Sequence, residues 1–287
     1  NNSVRLRKIK PMRGLIMDAE RRVIVDNQPS FDLLFIPNRP REAGEVIERI
    51  QGLYGSASLP APAFPAVPGK VRPFLPVTLE RNISRQKLAL VETHSLELPG
   101  VVVEVTPVRQ YMSGEMTAQL IGFTGEVSRE DLERAPAGQF FPGDLIGKFG
   151  IERFLDAQLR GKSGAEQVEV NVSGKTIRSL GKIPSLPGHN VQLTIDMALQ
   201  EAAWKALAGR SGAVVALDPR DGAVLTLVSS PAFDPNLFNG GISVDDWEML
   251  ASDPRHPMEN RAISGQYPPG STYKPVLAAA ALEEGLI

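Results

Sequence analysis

The sequence predicts an α+β protein built in two parts. Three observations predict it. Alternating and β-branched runs recur through the first half, interleaved with helical spacings. A cluster of chain breakers, Pro184-Ser185-Leu186-Pro187-Gly188, interrupts the chain. Beyond it, an Ala-rich helical stretch precedes two apolar runs joined by a turn. The breakers divide residues 1–185 from residues 190–287.

Taken in order, residues 4–9 alternate as a strand, and residues 15–17 and 23–25 flank a polar turn at 18–22. Residues 31–36 read as a further strand. Residues 42–53 place Val46, Ile47 and Ile50 on one helical face. The Pro-rich segment 55–76 suits an extended connector or a docking motif. Ser84 is placed to cap a helix reaching Thr93, and residues 101–105 are β-branched. Short helices are expected at 114–121 and 147–159, and Ser128-x-x-Asp131 opens another as a relative of the capping box. Residues 166–172 and 175–180 form a hairpin turning at Ser173-Gly174.

In the second part, residues 191–195 read as a strand. Residues 197–208 read as a helix with Leu199, Ala202, Ala203 and Leu207 on its apolar face. Residues 213–217 and 223–228 are strands joined by Asp218-Pro219-Arg220-Asp221-Gly222. Residues 231–241 are loop, and residues 245–251 a short helix. A final helix starts at Ser271, after Tyr267-Pro268-Pro269-Gly270.

Composition narrows the chemistry. The 287 residues are 42% apolar and 22% charged, which is globular. A net charge of −2 leaves no broad basic field for nucleic acid or anionic lipid. Without cysteine there is no disulfide, thiolate metal site or cysteine nucleophile. His94, His189 and His256 are far apart, and no cofactor or metal centre is expected. No stretch approaches the ~18–20 apolar residues of a membrane span. The chain opens on Asn1, which suggests a signal or anchor ahead of it.

Two phosphate-loop look-alikes fail. Gly174-Lys175-Thr176 has Glu169 where a P-loop needs its first glycine, and Gly147-x-x-Gly150 is too short for a dinucleotide loop. The chemistry lies in an S-x-x-K. The pattern occurs three times, at Ser84–Lys87, Ser179–Lys182 and Ser271–Lys274. Ser84 opens a polar helix, and Ser179 lies in an expected strand, where residues i and i+3 face opposite ways. Ser271 opens an apolar helix, so Lys274 lies one turn on along the same face. In a low-dielectric cleft a lysine loses its proton more readily and can take that of the serine. The same spacing also suits a plain capping serine beside a surface lysine.

The segment Gly265-Gln266-Tyr267-Pro268-Pro269-Gly270-Ser271-Thr272-Tyr273-Lys274-Pro275 resembles the nucleophile region of the class B penicillin-binding proteins. Val191-Gln192-Leu193-Thr194-Ile195-Asp196, the strands after it and Asn260-Arg261-Ala262 resemble the start of their transpeptidase domain. Arg13-Gly14-Leu15-Ile16-Met17-Asp18 resembles the first motif of their non-catalytic pedestal. Arg109-Gln110-Tyr111 with Leu120–Gly125 resembles the second, and Gly147–Glu152 with Leu159-Arg160-Gly161 the third. Leu96-Glu97-Leu98-Pro99-Gly100 points to the elongation-type subgroup, the penicillin-binding proteins 2. The first motif departs from the family by running on to Ala19-Glu20-Arg21-Arg22, without the usual glycine.

The resemblance implies an elongated β-rich pedestal over residues 1–185. It also implies the N-terminal part of a serine β-lactamase-like transpeptidase domain, an antiparallel sheet with helices, over residues 190–287. It implies a peptidoglycan D,D-transpeptidase with Ser271 as nucleophile and Lys274 as its base. The Ser271 N–H would be half of an oxyanion hole. Stem peptides and β-lactams would be its ligands, on the periplasmic side of an inner membrane. The family also uses an S-x-N and a K-T/S-G after the nucleophile. This chain has no S-x-N, and Lys175-Thr176-Ile177 is neither K-T-G nor downstream. These departures lead us to expect a catalytically silent piece of a larger enzyme. The alternative is an interaction module docking a SEDS-family glycosyltransferase or an elongation scaffold. Arg13, Asp18, Arg109 and Glu152 are expected to tie the pedestal together rather than touch substrate, since buried charges need partners.

Overall fold

A computed structural model describes residues 3–36, 42–55, 76–170 and 176–287. The Pro-rich segment, apart from its two ends, and the Ser173-Gly174 turn lie outside the described residues. In chain order the first part holds β1 (Ser3–Ile9), β2 (Ile16–Met17), β3 (Val23–Phe35), α1 (Glu42–Tyr54), β4 (Val77–Glu80) and α2 (Arg85–Thr93). There follow β5 (Val101–Tyr111), α3 (Ala118–Ile121), β6 (Thr124–Glu126), α4 (Arg129–Arg134) and β7 (Leu145–Gly147). α5 (Gly150–Phe154), α6 (Asp156–Leu159), β8 (Gly164–Val170) and β9 (Thr176–Ile183) complete it. Then come β10 (Val191–Gln192), α7 (Met197–Leu207), β11 (Gly212–Leu217), β12 (Val224–Ser230), α8 (Val244–Ser252), α9 (Arg261–Ser264) and α10 (Lys274–Glu283). The α+β class stands.

β3 is the spine. The expected strands at 23–25 and 31–36 are one continuous strand, because β5 pairs with it residue by residue from Val25–Tyr111 to Phe35–Val101. Pro29 interrupts the sequence pattern but not the strand. It lies opposite Pro107, at a level where neither pairs with a third strand among the described residues, so its missing N–H costs little. One end of this ribbon packs Leu33 and Phe35 against Val46 and Ile50 of α1 and Val91 of α2. Ser84 caps α2 through Lys87 N–H, as its sequence predicts. At the other end, Ile16, Ile24, Val25, Tyr111, Ile121 and Leu159 form a second core.

Ionic ties hold that second core. The Glu152 side chain is fully buried and accepts from Arg13 Nε at 2.6 Å and from Arg109 Nε at 2.6 Å. Arg13 also donates to Asp156 at 2.8 Å and to the Glu152 carbonyl at 2.9 Å. Burial opposes the charge on Arg13, but Glu152 and Asp156 outweigh it and raise its pKa. The turn without glycine survives because Arg21 itself takes a left-handed φ of 64°. Asp18 secures that turn by accepting from the N–H groups of Glu20 and Arg22 and from Arg22 Nε. Gly122 and Gly150 interlock the second and third motif segments. A Cβ on Gly122 would lie 1.9 Å from the Phe149 carbonyl oxygen, and one on Gly150 would lie 2.6 Å from that of Leu120.

β1, β8 and β9 form a separate antiparallel sheet, which realises the expected hairpin. Residues 147–159 are not one helix: 145–147 is strand, and α5 and α6 follow. The strand expected over 191–195 reduces to Val191–Gln192, and it joins the first part by running parallel to β2.

Candidate active site

The second part is hung on buried amides. α7 is capped by Asp196, which accepts from the N–H groups of Ala198 and Leu199. Its buried face is not the expected one. Leu199 is 43% exposed, whereas Gln200 is fully buried, with Ala203, Trp204 and Leu207 beside it at helical spacing. Gln200 accepts from Thr226 Oγ1 at 2.6 Å and from Leu227 N–H at 2.9 Å. It donates to the carbonyls of Leu227 and Met116. One polar side chain therefore joins α7, β12 and the first part, and an apolar-periodicity reading passes over it.

Gln119 does the same from the first part, donating to the carbonyls of Pro231 and Pro257. Asn236 accepts from Tyr111 N–H and donates to the Tyr111 carbonyl. Around these bonds Phe123 stacks on Phe238 at 3.7 Å and meets Phe233 edge-on. None of Gln119, Gln200 or Asn236 belongs to a chemical motif. The signal for Gln200 is its i, i+3, i+4, i+7 spacing with Ala203, Trp204 and Leu207.

The approach to the S-x-x-K is equally fixed. Ser229 on β12 accepts from Arg261 N–H and donates to the Glu259 carbonyl. Asn260 donates to the Gln119 carbonyl, and Arg261 donates to the carbonyls of His256 and Arg255. The Asn260-Arg261 pair is thus an anchor for the chain that leads to the S-x-x-K.

Ser271 lies on a 3-10 turn, Gly270–Tyr273, and Lys274 is the first residue of α10. The expected helix start is therefore tighter than α-helical. Three residues per turn bring positions 271 and 274 into line. Thr272 fastens the turn by donating from N–H and Oγ1 to the Pro269 carbonyl. Both Ser271 and Lys274 are exposed, and no hydrogen bond joins them among the described residues. The described residues thus form no low-dielectric cleft around Ser271 and Lys274, which corrects the expectation from their spacing. α10 is apolar around its circumference yet exposed, with Val276, Leu277 and Leu282 more than half accessible. A helix of that composition is normally a core helix. Among the described residues no cluster of three or more His, Cys, Asp or Glu could hold a metal.

Comparison with known proteins agrees with these features. Residues 8–193 match the penicillin-binding protein dimerisation domain, and residues 212–287 match the penicillin-binding protein transpeptidase domain. The chain is 34% identical over 290 residues to the peptidoglycan D,D-transpeptidase MrdA of Haemophilus influenzae, covering 100% of this chain and 44% of that protein. For MrdA of Escherichia coli K12 the identity is 34%, covering 100% of this chain and 46% of the relative. The chain therefore spans less than half the length of these relatives. Among solved structures, PBP2 of Helicobacter pylori in complex with MreC superposes with a TM-score of 0.81 at 25% identity, covering 99% of this chain and 53% of that one. PBP2 of Pseudomonas aeruginosa in complex with WCK 5153 gives 0.63 at 29% identity, covering 99% and 43%. With a pedestal tied by Arg13, Glu152 and Arg109 and an S-x-x-K on a turn leading into an apolar helix, the chain belongs to the penicillin-binding proteins.

Proposed function

We propose that this chain is part of a peptidoglycan D,D-transpeptidase in which Ser271 is the nucleophile and Lys274 its base. The observation that carries the reading is the S-x-x-K on a helical turn, in a chain that matches D,D-transpeptidases along its whole length. Ser271 Oγ attacks the D-Ala–D-Ala carbonyl as Lys274 takes its proton. The C–N bond breaks, D-Ala leaves as the protonated amine, and an acyl ester remains on Ser271. The amine of a second stem peptide then attacks the ester, forming the cross-link and returning Oγ to its hydroxyl. The Ser271 N–H supplies one oxyanion donor. β-Lactams acylate the same oxygen. No cofactor enters this chemistry.

Exposure of Ser271 and Lys274 supports a further part of the proposal: residues 1–287 alone are catalytically silent. Nothing among the described residues holds the Lys274 amine against the Ser271 hydroxyl, and an exposed serine without a positioned base is an ordinary hydroxyl. The test is intact mass and peptide mapping after incubation with benzylpenicillin. In the full-length natural protein we expect a single adduct on Ser271, lost in Ser271→Ala. An adduct elsewhere, or none, would overturn the assignment. In residues 1–287 alone we expect no adduct, and one on Ser271 would overturn the silence.

A second reading concerns partners. Leu96 is 98% exposed, and Val102 and Val105 on β5 are 43% and 60% exposed. Apolar side chains left exposed along this part of the pedestal support docking of a scaffold or SEDS-type glycosyltransferase on the periplasmic face of the inner membrane. The Helicobacter pylori PBP2–MreC complex is consistent with it. No helix among the described residues is long and apolar enough to cross a membrane. Retention of an MreC-type scaffold by this chain, abolished by Val105→Asp, is the expected result; retention equal to a control protein counts against it.

A further inference from the structure

A cleft of about 380 Å³ opens in the first part of the molecule, lined only by residues between Lys8 and Ser163. It is separate from the chemistry of Ser271. Six basic side chains line it, Lys8, Lys10, Arg13, Arg109, Arg160 and Lys162, against one acidic lining residue, Asp144.

The charges do not cancel. Lys8 pairs with Asp144. Glu152 and Asp156, behind the wall, bind Arg13, while Glu152 also holds Arg109 and Asp156 lies near Arg160. Six cations thus meet three carboxylates, which leaves an excess of three positive charges. Lys10 and Lys162 are exposed and have no acidic partner among the described residues. Arg109 is 4% exposed, donates from Nε to Glu152 and from Nη1 to Asn27, and its buried Nη2 has no acceptor among the described residues. Arg160 lies 4.4 Å over the Phe140 ring, and its Nε is 3.6 Å from Asp156, too far for a hydrogen bond.

The arrangement is rigid where it is deep and free where it is shallow. Arg13 and Arg109 cannot leave Glu152 without leaving a buried charge unpaired, so they fix a floor of guanidinium groups whose charge Glu152 and Asp156 balance, and the excess lies above it. Lys10, Lys162 and the outer nitrogens of Arg160 are spare donors at the mouth. A concave surface with an excess of one charge focuses its field and concentrates counter-ions. Its size falls within the range of small-molecule sites. Phe141 and Leu145 give the cleft an apolar side, with Lys8 lying 5.0 Å over the Phe141 ring.

We propose that this cleft binds a small, multiply charged anion through its carboxylate or phosphate groups, held by Lys10, Lys162 and Arg160 above the Arg13–Arg109 floor. The two chemistries share the same charge-assisted hydrogen bonds from ammonium and guanidinium donors. The test is isothermal titration of the 287-residue chain with sodium diphosphate and, separately, with sodium citrate, at ionic strength matched with sodium chloride. Saturable one-to-one binding is expected for at least one anion, at least tenfold weaker in the Lys10→Ser, Lys162→Ser double variant. Both lysines are exposed, so the melting temperature without anion should not change. Diphosphate alone would assign phosphate ligands, citrate alone carboxylates, and both a site that reads charge. No saturable binding of either anion, or equal affinity in the double variant, would overturn the proposal.

Discussion

Glu152 holds together segments of the first part that are far apart in sequence. One carboxylate takes up two guanidinium groups that come from 139 and 43 residues away in sequence. The family motifs made Arg13, Arg109 and Glu152 recognisable as pedestal ties, but not that all three meet, because sequence carries no distance. Glu152→Gln keeps the volume and removes the charge. Arg109, 4% exposed, then stays buried without its counter-ion. Breaking a buried pair in this way costs about 3–5 kcal/mol. Urea unfolding should report a loss of that size, and a loss under about 1 kcal/mol would mean that Asn27 and solvent suffice for Arg109. Asp131 is a second case. Its capping-box bond to Ser128 was legible, whereas its bond to Lys148 was not. The Lys148 ammonium, then the Ser128 N–H, lowers its pKa to about 2 from 3.8. A depressed carboxylate stabilises the fold fully above its unfolded pKa and loses that contribution as pH falls through the folded value. The stability gap between the natural chain and Asp131→Asn should thus be constant from pH 7 to 5. It should close between about pH 4 and 2, which melts at stepped pH would show. A gap that widens on acidification would contradict the assignment.

Elements were legible wherever apolar periodicity alone decides them. Helix α1 with Val46 and Ile50, the Ser84 cap and the β11–β12 hairpin all follow from local pattern. β3 did not, since Pro29 looks like a break until β5 is laid beside it. α7 did not either, because its buried face is centred on a glutamine. Gln200→Leu tests that reading. The substitution keeps an apolar helix face but strips partners from Thr226 Oγ1, Leu227 N–H and the carbonyls of Met116 and Leu227. Each buried group left unpaired costs about 1–3 kcal/mol, so a loss of at least about 3 kcal/mol is expected. A neutral or stabilising substitution would show that these bonds contribute little. α10 stands at the other extreme. It has an apolar surface and little of its own part packed on it, and β11 exposes Val215 and Leu217. Hydrogen exchange should find α10 and β11 among the least protected regular elements, and residues 190–287 less protected on average than residues 1–185. Equal or greater protection after residue 190 would contradict this.

At the scale of the whole molecule, the two parts are less separate than a cluster of chain breakers suggests. The sequence places the division at Pro184–Gly188, where five residues resist regular structure. The structure keeps the chain on the first part beyond that point. Lys162 bridges to Leu186, Gly188 N–H donates to the Met12 carbonyl, and His189 N–H donates to the Gln158 carbonyl. Asn190 accepts from Leu15 N–H, β10 joins β2, and Val191 and Leu193 pack on the core around Ile16. Prolines and glycines here mark irregular backbone that is nonetheless bound, which local composition cannot distinguish from a linker. We infer that the functional boundary lies after Leu193, in agreement with the dimerisation-domain match over residues 8–193. Two shortened chains separate the alternatives. One ends at Ser185 and loses all these interactions; the other ends at Ile195 and keeps them. Val191 and Leu193 are half-buried, and each contributes roughly 1–1.5 kcal/mol of apolar burial. For a domain of this size each kcal/mol is worth about 2–4 °C. The shorter chain should therefore melt about 5–10 °C below the longer one. Equal melting temperatures would return the boundary to the breaker cluster and reduce β10 to a passive strand lying along β2.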